Sequence, residues 1–197
     1  IGGCVHKTEA ASKYDGTAGD AIYFNSNGTL TINDSTISGG SGTADANLDG
    51  TYINSGSTFA KGGIGLNLLQ GTVKINNSTI NGGDSHFYNA GAAINFSNGN
   101  GVTLIMDNSE ENGGSVTRPA AGGSYGIGGD AITVTQNHKI ADITITNSQL
   151  TGGNGGNSWI GCGVQIKTGG SNEVKFAASD TSIAGGSTGK PGFGNAI

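Results

Sequence analysis

The chain has 197 residues, 39 of them glycine, and carries 9 basic against 14 acidic side chains for a net charge of −5 at neutral pH. The glycine follows no Gly-X-Y period, which excludes a collagen-like chain, and the few basic residues form no stripe, which removes the electrostatic drive for binding nucleic acid. Charged residues make up 12% of the chain, half the usual share of about 25%, while aliphatic positions recur too regularly for a disordered segment.

Residues 1–15 open with Gly2-Gly3-Cys4-Val5, a degenerate copy of the repeat that follows. His6 to Tyr14 then combine helix formers with a Glu9/Lys13 pair at i, i+4, so this segment is expected to cap the array. The chain begins at Ile1 and not at Met, which reads as a mature form or a fragment whose export signal is gone. No apolar run approaches the ~18 residues of a membrane span.

From Gly19 onward one phrase returns: Gly19-Asp20-Ala21-Ile22-Tyr23-Phe24, then the copies that open at Gly63, Gly91, Gly129 and Gly161, and a partial sixth at Gly194-Asn195-Ala196-Ile197. A second phrase follows each full copy, as in Leu30-Thr31-Ile32-Asn33-Asp34-Ser35-Thr36-Ile37 with Gly39-Gly40 behind it. Apolar residues alternate within both phrases, the mark of strands buried on one face. Three short strands per repeat, with a turn at Asn33-Asp34 before the third, predict stacked units that advance about 4.8 Å each.

Spacing locates the excursions. From the third-strand aliphatic to that of the next first strand, Ile80 to Ile94, Leu150 to Val164 and Ile183 to Ile197 are each 14 residues apart, and the other two intervals are longer by 15 and 7. The extra residues, 41–61 and 115–128, are expected to project sideways as loops, where functional variation concentrates.

In the first of these loops Asp45-Ala46-Asn47-Leu48-Asp49-Gly50 fits the opening of a calcium loop, with oxygen side chains at alternate positions before a glycine. The bidentate Glu expected at position 56 is replaced by Gly56, so a plain Asx turn competes with calcium, the one cofactor considered. The second turn of each repeat reads NDS, NNS, DNS or TNS at 33–35, 76–78, 107–109 and 146–148, and stacked amides there are expected to bond from repeat to repeat. The glycosylation sequons at Asn33, Asn76, Asn77 and Asn95 fall in these phrases and read as structural.

Single residues depart from the pattern. Glu111 occupies the inward place held elsewhere by Ile37, Ile80 and Leu150, so either its strand is displaced or a partner such as Arg118 or Lys139 compensates it. His6, His86 and His138 share no repeat position and read as solvated loop residues. Asp20 and Asp130 share one, with two repeats between them, and read as polar openings of a repeat, too distant for a catalytic pair. Cys4 and Cys162 lie near opposite ends, beyond the roughly 7 Å Cα limit of a disulfide. They read as small buried thiols, with an intermolecular bridge as the alternative.

Stretches such as GDAIYFNSNGTLTINDSTISGG resemble the right-handed parallel β-helix repeats of bacterial polymorphic outer-membrane proteins and autotransporter passenger domains, over roughly residues 16–197. Phe24-Asn25-Ser26-Asn27 also fits the FxxN signature of the first group. The combined expectation is an all-β, single-domain, right-handed parallel β-helix (β-solenoid) of about five to six coils. Its expected role is that of a non-enzymatic, secreted structural or adhesive element.

The partner is then a second copy, docked head to tail through Cys4, Cys162, Ala196 and Ile197, or a cell-surface carbohydrate. A segment of a larger adhesin and a polysaccharide-binding or polysaccharide-cleaving β-helix remain as alternatives. Cleavage of acidic polysaccharide needs clustered acids with a basic residue, and Arg118 is the only arginine. An ice-binding face would need a regular threonine array, which Lys74, Ile105 and Lys175 interrupt.

Overall fold

The computed structural model of the chain describes residues 17–42, 61–86, 88–117, 126–156, 159–167 and 173–187. No helix occurs among them, and every strand pairing is parallel. The first repeat supplies β1 (Ile22–Asn33) and β2 (Thr36–Ser38), the second β3 (Leu66–Asn76) and β4 (Thr79–Asn81), and the third β5 (Ile94–Asp107) and β6 (Glu110–Asn112). The fourth supplies β7 (Ile132–Val134), β8 (Ile140–Thr146) and β9 (Gln149–Thr151), and the fifth β10 (Val164–Ile166), β11 (Glu173–Ser179) and β12 (Ser182–Ala184).

Two sheets result, one of seven strands that follows β1-β3-β5-β7-β10 with β8 and β11 beside it, and one of five in the order β12-β9-β6-β4-β2. Each repeat therefore pairs only with its sequence neighbours. Equivalent residues face each other: Ile22 pairs with Leu66, Leu66 with Ile94, Ile94 with Ile132 and Ile132 with Val164.

The three-strand expectation needs correction in the first three repeats, where the first two strands merge into one. The polar residues between the two phrases do not end the strand: Asn25 pairs with Gln70 and Gln70 with Gly101, and register shifts between Phe24 and Thr29 and between Leu68 and Gln70 take up the residues left unpaired. Gly71, at φ 104°, supplies the left-handed backbone that a side chain would resist.

Alternation puts one apolar column behind each strand position. Val73, Leu104 and Ile143 form one, Ile75, Met106 and Ile145 another, all at most 1% exposed. The half-buried apolar residues packed against this core are Ile22, Phe24, Leu30 and Ile37 in the first repeat and Ile166, Val174, Phe176 and Ile183 in the fifth. Among the described residues, interior repeats have a neighbour on both sides and the first and fifth on one.

The turn into the third strand has one solution five times over. Asp34, Asn77, Asn108, Asn147 and Asp180 all take φ between 46° and 49°, a left-handed conformation that Asn and Asp tolerate better than other side chains. Ser35 Oγ donates to Asn33 O, Ser78 Oγ to Asn76 O, Ser109 Oγ to Asp107 O and Ser148 Oγ to Thr146 O, at 2.6–2.8 Å. These hydroxyls also accept from the neighbouring repeat, Ser78 from Ser35 N, Ser109 from Ser78 N and Ser148 from Ser109 N.

Where each repeat closes, its glycine meets the glycine that opened it. Gly40 N donates to Gly19 O, Gly63 N to Gly40 O, Gly83 N to Gly63 O, Gly91 N to Gly83 O and Gly114 N to Gly91 O. The run continues from Gly129 N to Gly114 O, Gly153 N to Gly129 O, Gly161 N to Gly153 O and Gly186 N to Gly161 O, every bond between 2.7 and 3.0 Å. Opening and closing glycines thus alternate along one unbroken zigzag. They are required for closeness, not for φ: a Cβ on Gly129 would lie 1.8 Å from Gly91 O, and one on Gly153 1.8 Å from Gly114 O.

The insertions are narrower than their expected bounds. Gly42 and Val116 both bridge to Ser85, and Lys61 bridges to Thr17, so residues 41, 42, 61 and 115–117 still follow the stack. Val116 is buried among them. The N-terminal cap over 1–15 lies outside the described residues.

Gly129→Ala is expected to destabilise by about 3–5 kcal/mol, because backbone and not a flexible side chain blocks the new methyl. Gly101→Ala, whose Cβ would meet nothing nearer than 3.6 Å, should change stability by less than about 1 kcal/mol. Urea titration of the two variants measures both. The same assay separates Ile145→Ala, expected to cost about 2–5 kcal/mol for the cavity it opens, from the exposed Thr144→Ala, which should cost far less.

Candidate functional site

Side chains that the sequence offered for chemistry are found mostly holding repeats together. Asp20 Oδ1 accepts from Ile64 N at 3.0 Å and its Oδ2 from Asn67 Nδ2 at 2.7 Å. Asp130 Oδ1 accepts from Cys162 N at 2.8 Å and its Oδ2 from Thr133 Oγ1 at 2.6 Å. Each carboxylate therefore clamps its own repeat to the next.

The amide rows behave likewise. Asn76 Nδ2 donates to Asn33 Oδ1, Asn77 Nδ2 to Asp34 Oδ1 and Asn108 Nδ2 to Asn77 Oδ1. The fourth repeat departs from like-on-like stacking, since both Asn147 Nδ2 and Thr146 Oγ1 donate to Asp107 Oδ1. Those two donors, Thr146 first and then Asn147, hold the Asp107 carboxyl below the usual carboxylate range. A second ladder links Asn81 to Ser38 and Asn112 to Asn81, and a third runs from Asn95 and Ser97 to Asn67. The amides of Asn33, Asn76, Asn77 and Asn95 are all engaged in these contacts.

Cys162 is a free, half-buried thiol. Burial and then the Asp130 carboxylate beside it push it up from its ordinary value, which keeps it protonated and poorly nucleophilic. Its expected counterpart Cys4, the assembly residues Ala196 and Ile197, the loop residues Asp45, Asn47 and Asp49, and Arg118 lie outside the described residues. Among the described residues no group of three or more His, Cys, Asp or Glu side chains assembles to hold a metal, and no helix is long and apolar enough to cross a membrane. The outward rows read Thr29-Thr72-Thr103-Asp142-Lys175 and Thr31-Lys74-Ile105-Thr144-Ala177. Threonines never fill two adjacent columns.

Two buried polar residues break the core pattern, and both correct an expectation. The strand of Glu111 is not displaced, since Glu111 pairs in register with Ile80 and Leu150, and no partner among the described residues, Lys139 included, compensates it: neither carboxyl oxygen makes a hydrogen bond. Burial in the apolar column, with a smaller contribution from Glu110, pushes its pKa up to about 9. The side chain is a neutral acid at physiological pH. His138 is not solvated but fully buried. Nδ1 lies 2.6 Å from Ser97 O and Nε2 2.7 Å from Ile140 O, and the ring meets Phe96 edge to face at 5.4 Å between centroids. Two backbone carbonyls on neighbouring repeats replace water around the imidazole, which makes burial tolerable.

Two surface cavities lie on the described residues. One, of about 410 Å³, follows the closing glycines beside Ser38, Asn81 and Asn112, and its amides are tied into their own ladder. The other, of about 380 Å³, is lined by Asn25, Gln70, Asn98, Asn100, Asn137 and Lys139 over a floor of Leu69 and Gly99. The sequence singles out only Asn25, in the FxxN signature, and Lys139, as a partner for Glu111, because the residues between the two repeated phrases share no common pattern. Their only signal is polar enrichment at that place, as in Asn25-Ser26-Asn27-Gly28, Asn98-Gly99-Asn100-Gly101 and Gln136-Asn137-His138-Lys139.

No protein-family model, curated protein or solved structure matches the chain.

Glu111 generates a pH dependence of definite sign. Its folded value of about 9 exceeds the ordinary 4.5, so the folded state holds a proton that the unfolded chain releases. Its contribution is fullest below about 4.5 and is lost as pH rises toward 9, at about 1.4 kcal/mol per pH unit. Glu111→Leu, which restores the residue type of Leu150, is expected to melt higher at pH 8 and to remove this slope. Thermal melts of both proteins between pH 5 and 9 give the difference directly.

Proposed function

We propose that the chain is a right-handed parallel β-helix that serves as a non-enzymatic, extracellular structural or adhesive scaffold, able to associate end to end through its terminal repeats. The observation that carries this reading is the glycine zigzag. A closing glycine that donates to the opening glycine of its own repeat, and accepts from the opening glycine of the next, is what a chain wound into successive coils requires. Columns of like residues behind each strand position agree with it. The extracellular setting rests on the resemblance to surface-protein repeats.

The half-buried apolar residues of the first and fifth repeats support the end-to-end contact, since a copy placed there would complete the columns that Phe24 and Phe176 leave partly open. Identical subunits joined in this way form a heterologous contact that extends into a fibre when it does not close. The same residues would equally receive further repeats if the scaffold is a segment of a larger adhesin.

Sedimentation velocity over a range of concentrations, followed by electron microscopy, separates these uses. Head-to-tail association is expected to give a concentration-dependent series of species, and Phe176→Asp should shift it to monomer, whereas Ile105→Asp on a lateral face should not. A chain that stays monomeric at high concentration is a scaffold segment and not a polymerising subunit.

A further inference from the structure

The cavity over the first turn differs from the amide ladders in one respect. The Asn side chains of the turn rows bond from repeat to repeat in ladders, but Asn25, Gln70, Asn98, Asn100 and Asn137 line one cavity with Lys139, and none of these six side chains makes a hydrogen bond or an ion pair with another described residue. Each free amide presents both donors and an acceptor. Among the described residues no carboxylate lines the cavity, and the one charged side chain there, Lys139, is positive.

We propose that this cavity binds an acidic oligosaccharide, with uronate carboxylate against Lys139 and sugar hydroxyls against the amides. The volume of about 380 Å³ lies within the range of about 300–1,000 Å³ typical of small-ligand sites. Such sites are usually apolar; this one is almost wholly amide, which suits a polyhydroxylated ligand that both gives and takes hydrogen bonds. Spacing points the same way. Asn25 pairs in register with Gln70, and Gln70 with Gly101 beside Asn100, so polar groups advance by one strand spacing, about 4.8 Å, from the first repeat toward Asn137 and Lys139 of the fourth. A linear sugar chain laid across the strands presents its rings at a similar interval.

The walls are held in place before any ligand arrives. Buried His138 contacts Ser97 O on one side and Ile140 O on the other, flanking Asn98 to Asn100 and Lys139. Lys139 N donates to Gly99 O at 3.1 Å, and Glu173 N to Lys139 O at 2.9 Å. Gly99 lets the second repeat approach, since a Cβ there would lie 1.8 Å from Leu69 O. His138 is thus a positioning residue, and the amides and Lys139 are the contact groups. The site is lateral, spanning the first to the fourth repeat, and reaches the first repeat only through Asn25.

Nuclear magnetic resonance titration of the labelled full chain with tetragalacturonate, and separately with its methyl ester, tests this. The expected result is shifts confined to residues 25, 70, 97–101 and 135–140, with binding about tenfold weaker for the uncharged ester and for Lys139→Ala. Asn98→Ala combined with Asn100→Ala should weaken it about as much, while Lys74→Ala, which removes an exposed cation that does not line the cavity, should leave it unchanged. Thermal melts establish that each variant is folded. No shift up to about 10 mM sugar, equal binding of acid and ester, or equal losses in Lys74→Ala and Lys139→Ala would each overturn the proposal. Association through the ends is measured without sugar, so a failure of either idea is distinguishable from a failure of the other.

Discussion

The fold depends on backbone groups meeting without side chains between them. Nine hydrogen bonds from Gly40 N to Gly161 O join ten glycines that alternately open and close the repeats. The eight from Gly63 to Gly186 also lie against the carbonyl of their counterpart one repeat earlier, at a separation that no Cβ could share. Unsatisfied backbone groups in such a place would carry a penalty of about 1–3 kcal/mol apiece, so the zigzag removes a cost as well as making contacts. It also explains why loop length varies only in certain places. Gly83 to Gly91 and Gly153 to Gly161 are joined by the minimum connection, and the longer connections leave after Gly40 and Gly114 and return before Gly63 and Gly129 without disturbing the glycines themselves.

Packed columns supply the apolar share of stability, and their two polar interruptions are solved differently. His138 replaces water with two main-chain carbonyls and a ring contact, so it joins the turn before β8 to the irregular middle of β5. Glu111 has no such replacement, and the only way to keep it inside an aliphatic column is to keep its proton. Nothing in the structure explains why an acid stands there.

The outer face divides amides into two populations by geometry alone. In the left-handed turn before each third strand, the same φ recurs at five positions, so side chains project at the same angle from every repeat and meet their copies. Between the two phrases, register shifts prevent that repetition. Amides there cannot stack on equivalents and are left facing a shared cavity. One residue type thus maintains register in one place and offers hydrogen bonds to solvent or ligand in another.

Strand positions, inward columns, the Asn and Ser turn rows and the sites of insertion were all legible in the chain, because a stack of like on like forces each repeat to show the same residue type at the same place. Asp20 and Asp130 could be read as polar openings of a repeat for the same reason. What the repeat pattern could not carry were contacts without a counterpart in the other repeats. The burial of His138, the missing partner of Glu111 and the convergence of Asn25, Gln70, Asn98, Asn100, Asn137 and Lys139 all arise at or between the repeated phrases, in places where only one copy has that residue or that bulge. The merging of the first two strands belongs with them, since a bulge keeps a chain paired through residues whose composition reads as a turn. Even the glycines were legible only in number and position. That they serve close approach and not left-handed backbone was decided by the neighbouring repeat, whose carbonyl oxygen occupies the space where a side chain would stand.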